Sequence, residues 1–292
     1  MGTSSAYGGP GGGTPLIPTW LEPEDGEAPQ ATPVPPGADE QPPPSGQPES
    51  PPARPPIPIP TDSRRFAAAR SNYSRFASSG GRDRSHLGRA VSHYVTRASG
   101  GSRQAARRMG SSRAAGGRLL GFLADAATRG VRDALRALNL ERLAGRPIEE
   151  IFLGLADYVC PEGGSIDEGI AREAFVETIA DLAENGIADL DALTAEEMQT
   201  VFELYATHAI EARLCNDIGT QSVTLPKDAR DAGRVQAQLH DFIRRGVADA
   251  LAVSRVDAQP MTPDQVLSFV GQVYEQAFEI LRSLGEAEVD PE

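Results

Sequence analysis

Cysteine is scarce, with two in 292 residues. That excludes a disulfide framework and a cysteine-rich zinc module. Lysine is scarcer: Lys227 stands alone, so positive charge in this chain is almost all arginine. Arginine suits bidentate contacts to phosphate or carboxylate and stacking on aromatic rings. Tryptophan occurs once, at Trp20. No apolar run approaches the roughly 20 residues of a membrane span, and the first residues are neither basic nor apolar as a signal peptide requires. A cytoplasmic protein without membrane contact is the expectation.

Recognisable chemistry is equally sparse. Gly8 to Gly13 is glycine-dense, but no strand precedes it and no helix follows, so it fails as a phosphate loop. His86, His93, His208 and His240 form no HExxH or HxH arrangement, and Cys160 and Cys215 have no Cys or His neighbour in sequence. Glu149–Glu150, Glu196–Glu197 and Asp228/Asp231 sit at helix starts, where the helix dipole favours acids. No catalytic residue, metal ligand set or bound cofactor is expected, and the chain reads as non-enzymatic.

What the chain does have is segregation. Residues 1–60 hold 18 of the 24 prolines and 9 of the 30 glycines, with a net charge of −6. Residues 61–118 hold thirteen arginines against two acids, a net of +11. Residues 119–292 carry −18, so the overall −13 hides a basic middle. The first segment reads as a disordered tail that buries too little apolar surface to offset chain entropy. Its Pro-rich half, in extended polyproline form at about 3.1 Å per residue, reaches on the order of 100 Å. Inside it Leu16, Ile17, Trp20 and Leu21 form an apolar cluster. A solvated tail bearing one large aromatic has the look of a short linear motif that docks on a partner.

The second segment interleaves arginine with Phe66, Tyr73, Phe76 and Tyr94. That is the composition of a phosphate-contacting surface with stacking platforms. It equally suits docking on the acidic remainder or on an acidic partner. Arg82, Arg84 and Arg89 are the candidate contacts to partner or nucleic acid.

From Ser63 onward the periodicity is helical. Asp83 or Ser85 caps one helix, and Gly100–Gly101 ends it. Pro147 suits a first helical position, Ser165 or Asp167 a cap, and Thr194 with Glu197 a capping box. The last helix, after Thr262-Pro263, has the most regular stripe: Val266, Phe269, Val270, Val273, Ala277, Ile280, Leu281 and Leu284. With no alternating strand series, the expectation is a mainly α fold, an irregular bundle of about seven to nine helices behind the tail. Its parts are the tail (1–60), an Arg-rich helical segment (61–118) and an acidic all-α domain (119–292).

Three stretches carry a family resemblance. They are Met1-Gly2-Thr3-Ser4-Ser5-Ala6-Tyr7-Gly8-Gly9-Pro10-Gly11 continuing as Thr14-Pro15-Leu16-Ile17-Pro18-Thr19-Trp20-Leu21; Ser79-Gly80-Gly81-Arg82-Asp83-Arg84-Ser85; and Arg146-Pro147-Ile148-Glu149-Glu150-Ile151-Phe152-Leu153-Gly154-Leu155 ahead of Cys160-Pro161. Together they resemble the QatB proteins of bacterial Qat anti-phage defence systems. The resemblance implies a non-enzymatic defence component that acts with an ATPase, a QueC-like enzyme and a TatD-like nuclease. It also implies attachment of a deazapurine to the N-terminal glycine, here Gly2. The residues suit that role: removal of Met1 exposes a Gly amine with no Cβ behind it, on a tail able to thread into an active site. N-myristoylation is disfavoured, because Ala6 stands where the pattern needs Ser or Thr. The runner-up is a helical nucleic-acid-binding protein acting through its arginines.

Overall fold

The structure is a computed structural model. It describes residues 64–184, 187, 189–219, 223, 225–254 and 261–288. The chain divides into two units, Met1–Pro58 and Ile59–Glu292, and every described residue belongs to the second. Gly2 and the Leu16, Ile17, Trp20 and Leu21 cluster lie outside the described residues, as does the whole of 1–60.

The described residues are helical and contain no strand. The order is α1 (Ala67–Ser78), α2 (Arg84–His93), α3 (Ser102–Arg107), α4 (Gly110–Arg129), α5 (Val131–Ala137), α6 (Ile148–Val159), α7 (Ile166–Glu184), α8 (Ala195–Ile218), α9 (Ala229–Val253) and α10 (Pro263–Ala287). A π-helical turn, Tyr94–Ala98, prolongs α2 to the Gly100–Gly101 break, where φ is +83° and +105°. The Arg/Ala stretch is divided in two at Arg108–Met109. The change from basic to acidic sequence falls inside α4, which runs on unbroken.

Local chemistry starts most of the long helices. The Thr194 hydroxyl accepts from the Glu197 N–H at 3.2 Å, and the Glu197 carboxylate accepts from the Thr194 N–H at 2.8 Å. Thr262 and Gln265 make the same reciprocal pair ahead of α10, with Pro263 at its first position. Asp228 caps α9. Of the two candidates ahead of α7, Ser165 is the cap, its hydroxyl accepting from the Glu168 N–H at 3.2 Å. Pro147 sits one residue outside α6, at its cap position.

α10 is the hub. It packs on α2, α3, α4 and α9, while α7, α8 and α9 pack in succession beside it. Val266, Val270, Val273, Tyr274, Ala277, Phe278 and Leu281 are buried along its stripe. Each fully buried large side chain contributes roughly 1.5–3 kcal/mol. Where α2 crosses α10, Gly88 and Gly285 meet backbone to backbone: a Cβ on Gly88 would stand 2.7 Å from the Gly285 carbonyl oxygen.

Candidate functional site

The basic segment is docked on its own body. Arg82 pairs with Asp231 of α9 at 3.0 Å, Arg84 with Glu288 at 3.1 Å and Arg103 with Glu275 of α10 at 3.2 Å. The Arg70 Nε donates to the Ile218 carbonyl at 2.6 Å, and the Arg118 Nε to that of Val159 at 2.8 Å. Arg89 is half-buried with no ion pair among the described residues. Arg89, His93 and Arg97 follow at successive turns. Burial, with the positive charge of Arg97 and Arg89, lowers the His93 pKa.

The interleaved aromatics are not stacking platforms. Phe66, Tyr73, Phe76 and Tyr94 are all buried in the core. The helical periodicity that intersperses them with arginine turns them inward, from Phe66 at the cap of α1 through Tyr73 and Phe76 to Tyr94 in the π-helical turn after α2, so the expected stacking platforms are corrected to core side chains.

A buried polar network fixes this docking. The Asp217 side chain of α8 is 7% exposed. It accepts from Tyr94 at 3.0 Å, Arg108 at 3.2 Å and the Arg213 Nε at 3.2 Å. Arg213 also pairs with Asp167 of α7. Arg108 lies over the Phe66 ring, 5.4 Å from its centroid, and Phe66 stacks on Tyr94 at 5.9 Å. Burial and the Asp217 charge push the Tyr94 hydroxyl far above its ordinary pKa. Such a network is satisfied only as a unit.

Among the hollows lined by described residues, two bear on function. One, of about 550 Å³, lies between α4, α5 and the start of α10. It is lined largely by small and apolar residues, among them Gly117, Gly121, Phe122, Leu138, Val266 and Leu267. The other, of about 490 Å³, lies along α7, α8 and α9 and is lined by Glu177, His208, Glu211, Cys215 and His240 among others. There the His208 Nε2 pairs with Asp181 at 2.7 Å, and the His240 Nδ1 with Glu211 at 3.0 Å. The hydrogen bond His240 donates to the Glu211 carboxylate raises the His240 pKa. His208, Glu211 and His240 each offer a ligand atom within 4.8 Å of the others'. In the sequence these histidines stand far apart. The legible signal was His208 and Glu211 one turn apart on one helix.

Burial pushes the Cys160 thiol to about 11, which fits an inert core cysteine. Among the described residues no helix is long and apolar enough to cross a membrane.

A family model described as "Qat anti-phage system associated protein QatB" matches residues 100–281, more than half of the chain. The match runs from before α3 to near the end of α10, taking in Asp217 and the His208–His240 hollow. It leaves out Arg82, Arg84, Arg89 and the tail. No curated protein and no solved structure matches the chain.

Proposed function

This chain belongs to the QatB family and is a component of a Qat anti-phage defence system; from that premise we propose that it acts as a non-enzymatic adaptor whose Gly2 amine is modified by a partner enzyme. The family match supports the defence-component part of this proposal, and the likeness of Met1 to Leu21 to the QatB N-terminus motivates the Gly2 part. Under it, a QueC-like enzyme couples a deazapurine to Gly2 in an ATP-dependent step, and the system's ATPase and TatD-like nuclease assemble with the helical body. The nucleophile is the neutral amine. An α-amino pKa near 8 leaves a useful unprotonated fraction at neutral pH. Leu16, Ile17, Trp20 and Leu21 hold the tail on the partner while Gly2 enters its active site.

Intact mass spectrometry after co-expression with the other components of the system tests this. The expected outcome is a chain lacking Met1 and heavier by one deazapurine adduct. Gly2→Pro should abolish both the adduct and protection against phage. An unmodified Gly2 in a defence-competent complex would sink the modification and leave the adaptor role standing.

A second reading, contact with nucleic acid, draws on Arg75, Arg97 and Arg107. All three are exposed, with no ion-pair partner among the described residues. Binding through arginine and phosphate alone is steeply salt-dependent. Absence of DNA and RNA binding at low salt would remove it.

A further inference from the structure

We propose that His208, Glu211 and His240 form a binding site for a divalent first-row metal ion, zinc in the first instance. The three residues come from two packed helices. His208 and Glu211 lie one turn apart on α8, and His240 faces them from α9. Their ligand atoms lie within 4.8 Å of one another. Nitrogen and oxygen ligands about 2.0–2.1 Å from a tetrahedral ion stand about 3.4 Å apart. Closing that gap takes an adjustment of about an ångström, within the reach of side-chain rotation.

Three observations point the same way. The donor set, two imidazoles and a carboxylate, is one that first-row divalent ions take, and it leaves a position open. Asp181, from α7, grips the His208 ring at 2.7 Å. This carboxylate–imidazole pairing is the one that orients metal-bound histidines and strengthens them as donors. The lining of the hollow is also of one sign: Glu173, Glu177, Glu211 and Asp241 line it, and no arginine or lysine does. Arg244, nearby on α9, is turned to Glu203 at 2.9 Å. That acidic lining favours a cation.

The proton between the His240 Nδ1 and Glu211 is the one an ion displaces, so binding releases protons to solvent. The ion would clamp α8 to α9 and hold α7 through Asp181. This assignment stands independently of whether Gly2 is modified.

The test uses the full chain without a histidine tag, stripped with chelator and equilibrated with zinc. The readouts are metal per chain and thermal midpoint. Expected is about one zinc ion per chain, surviving desalting, with a midpoint raised by zinc. Glu211→Gln and Asp181→Asn should each weaken binding by about tenfold or more, and the His208→Gln/His240→Gln double variant should abolish it. Zinc should then no longer raise the midpoint. His86→Gln/His93→Gln, on α2, should bind as the parent does. Circular dichroism checks each variant's fold. If the double variant does not fold, Glu211→Gln, of unchanged size and partly solvent-exposed, decides. Failure of the parent to take up stoichiometric zinc overturns the site. So does undiminished uptake by a folded Glu211→Gln.

Discussion

Gly88 and Gly285 let two helices approach until their backbones touch. A methyl at position 88 would meet the Gly285 carbonyl at 2.7 Å and the Glu288 Cβ at 3.0 Å. Neither neighbour can give without moving α10. Overpacking costs about 1–3 kcal/mol; the helix propensity gained over glycine returns about 1. Gly88→Ala should therefore be net destabilising, by up to about 2 kcal/mol in urea unfolding. Gly121, in mid α4, is the converse, since a Cβ there meets nothing within 4 Å. Gly121→Ala should be neutral or stabilise by up to about 1 kcal/mol. Equal effects at the two positions would contradict the packing account. This contrast is invisible in the sequence, where both are lone glycines in helical stretches. The same holds for the arginine-flanked aromatics. Arg65 and Phe66 are neighbours, but which one faces inward depends on where α1 meets its partners. His208 and His240 are 32 positions apart and become neighbours only once α8 lies on α9.

At the scale of helices the sequence is far more informative, because caps are local. Thr194 with Glu197, Asp228 and Thr262 with Pro263 mark their helix starts to the residue, and each does so through a bond within three residues. The Ser165–Glu168 box gives a pH test. The Glu168 carboxylate accepts from the Ser165 hydroxyl at 2.7 Å and from its N–H at 2.9 Å. These bonds hold its pKa below the ordinary 4.5. A depressed carboxylate pKa contributes stability that is full above the unfolded value and is lost as pH falls through the folded one. The stability gap between the parent and Glu168→Gln should be present near pH 6 and shrink as pH falls below about 4.5. A gap independent of pH would show that the charge plays no part. The division of the Arg/Ala stretch into α3 and α4 had no such local mark. The break at Arg108–Met109 coincides with Arg108 turning in to Asp217, a tertiary event.

For the molecule as a whole, the opposed charges of its two folded segments meet in two different ways. At the surface, Arg82–Asp231 is wet on the arginine side, 64% exposed, and Arg82→Ala should cost less than about 1 kcal/mol. Inside, Asp217 pairs with Arg108 and Arg213 and accepts from the Tyr94 hydroxyl, with Asp167 the second partner of Arg213. Asp217→Ala strands the Arg108 guanidinium, leaves Arg213 with Asp167 alone, and should cost about 3–5 kcal/mol. That is a large share of a typical domain's 5–15. Urea unfolding of both variants compares them, and a similar small loss in each would show that the inner network contributes little. The mainly α architecture was legible from periodicity; the union of basic and acidic segments in one core was not, since charge composition alone fits docking within the chain and docking on another molecule equally well. The position of the hub in the chain has a consequence for synthesis. α10 is the last of these helices to leave the ribosome, yet α2, α3 and α4 bury their apolar faces against it. While translation proceeds those faces stay uncovered, and the basic segment completes its packing only after the ribosome has finished the helix that closes it.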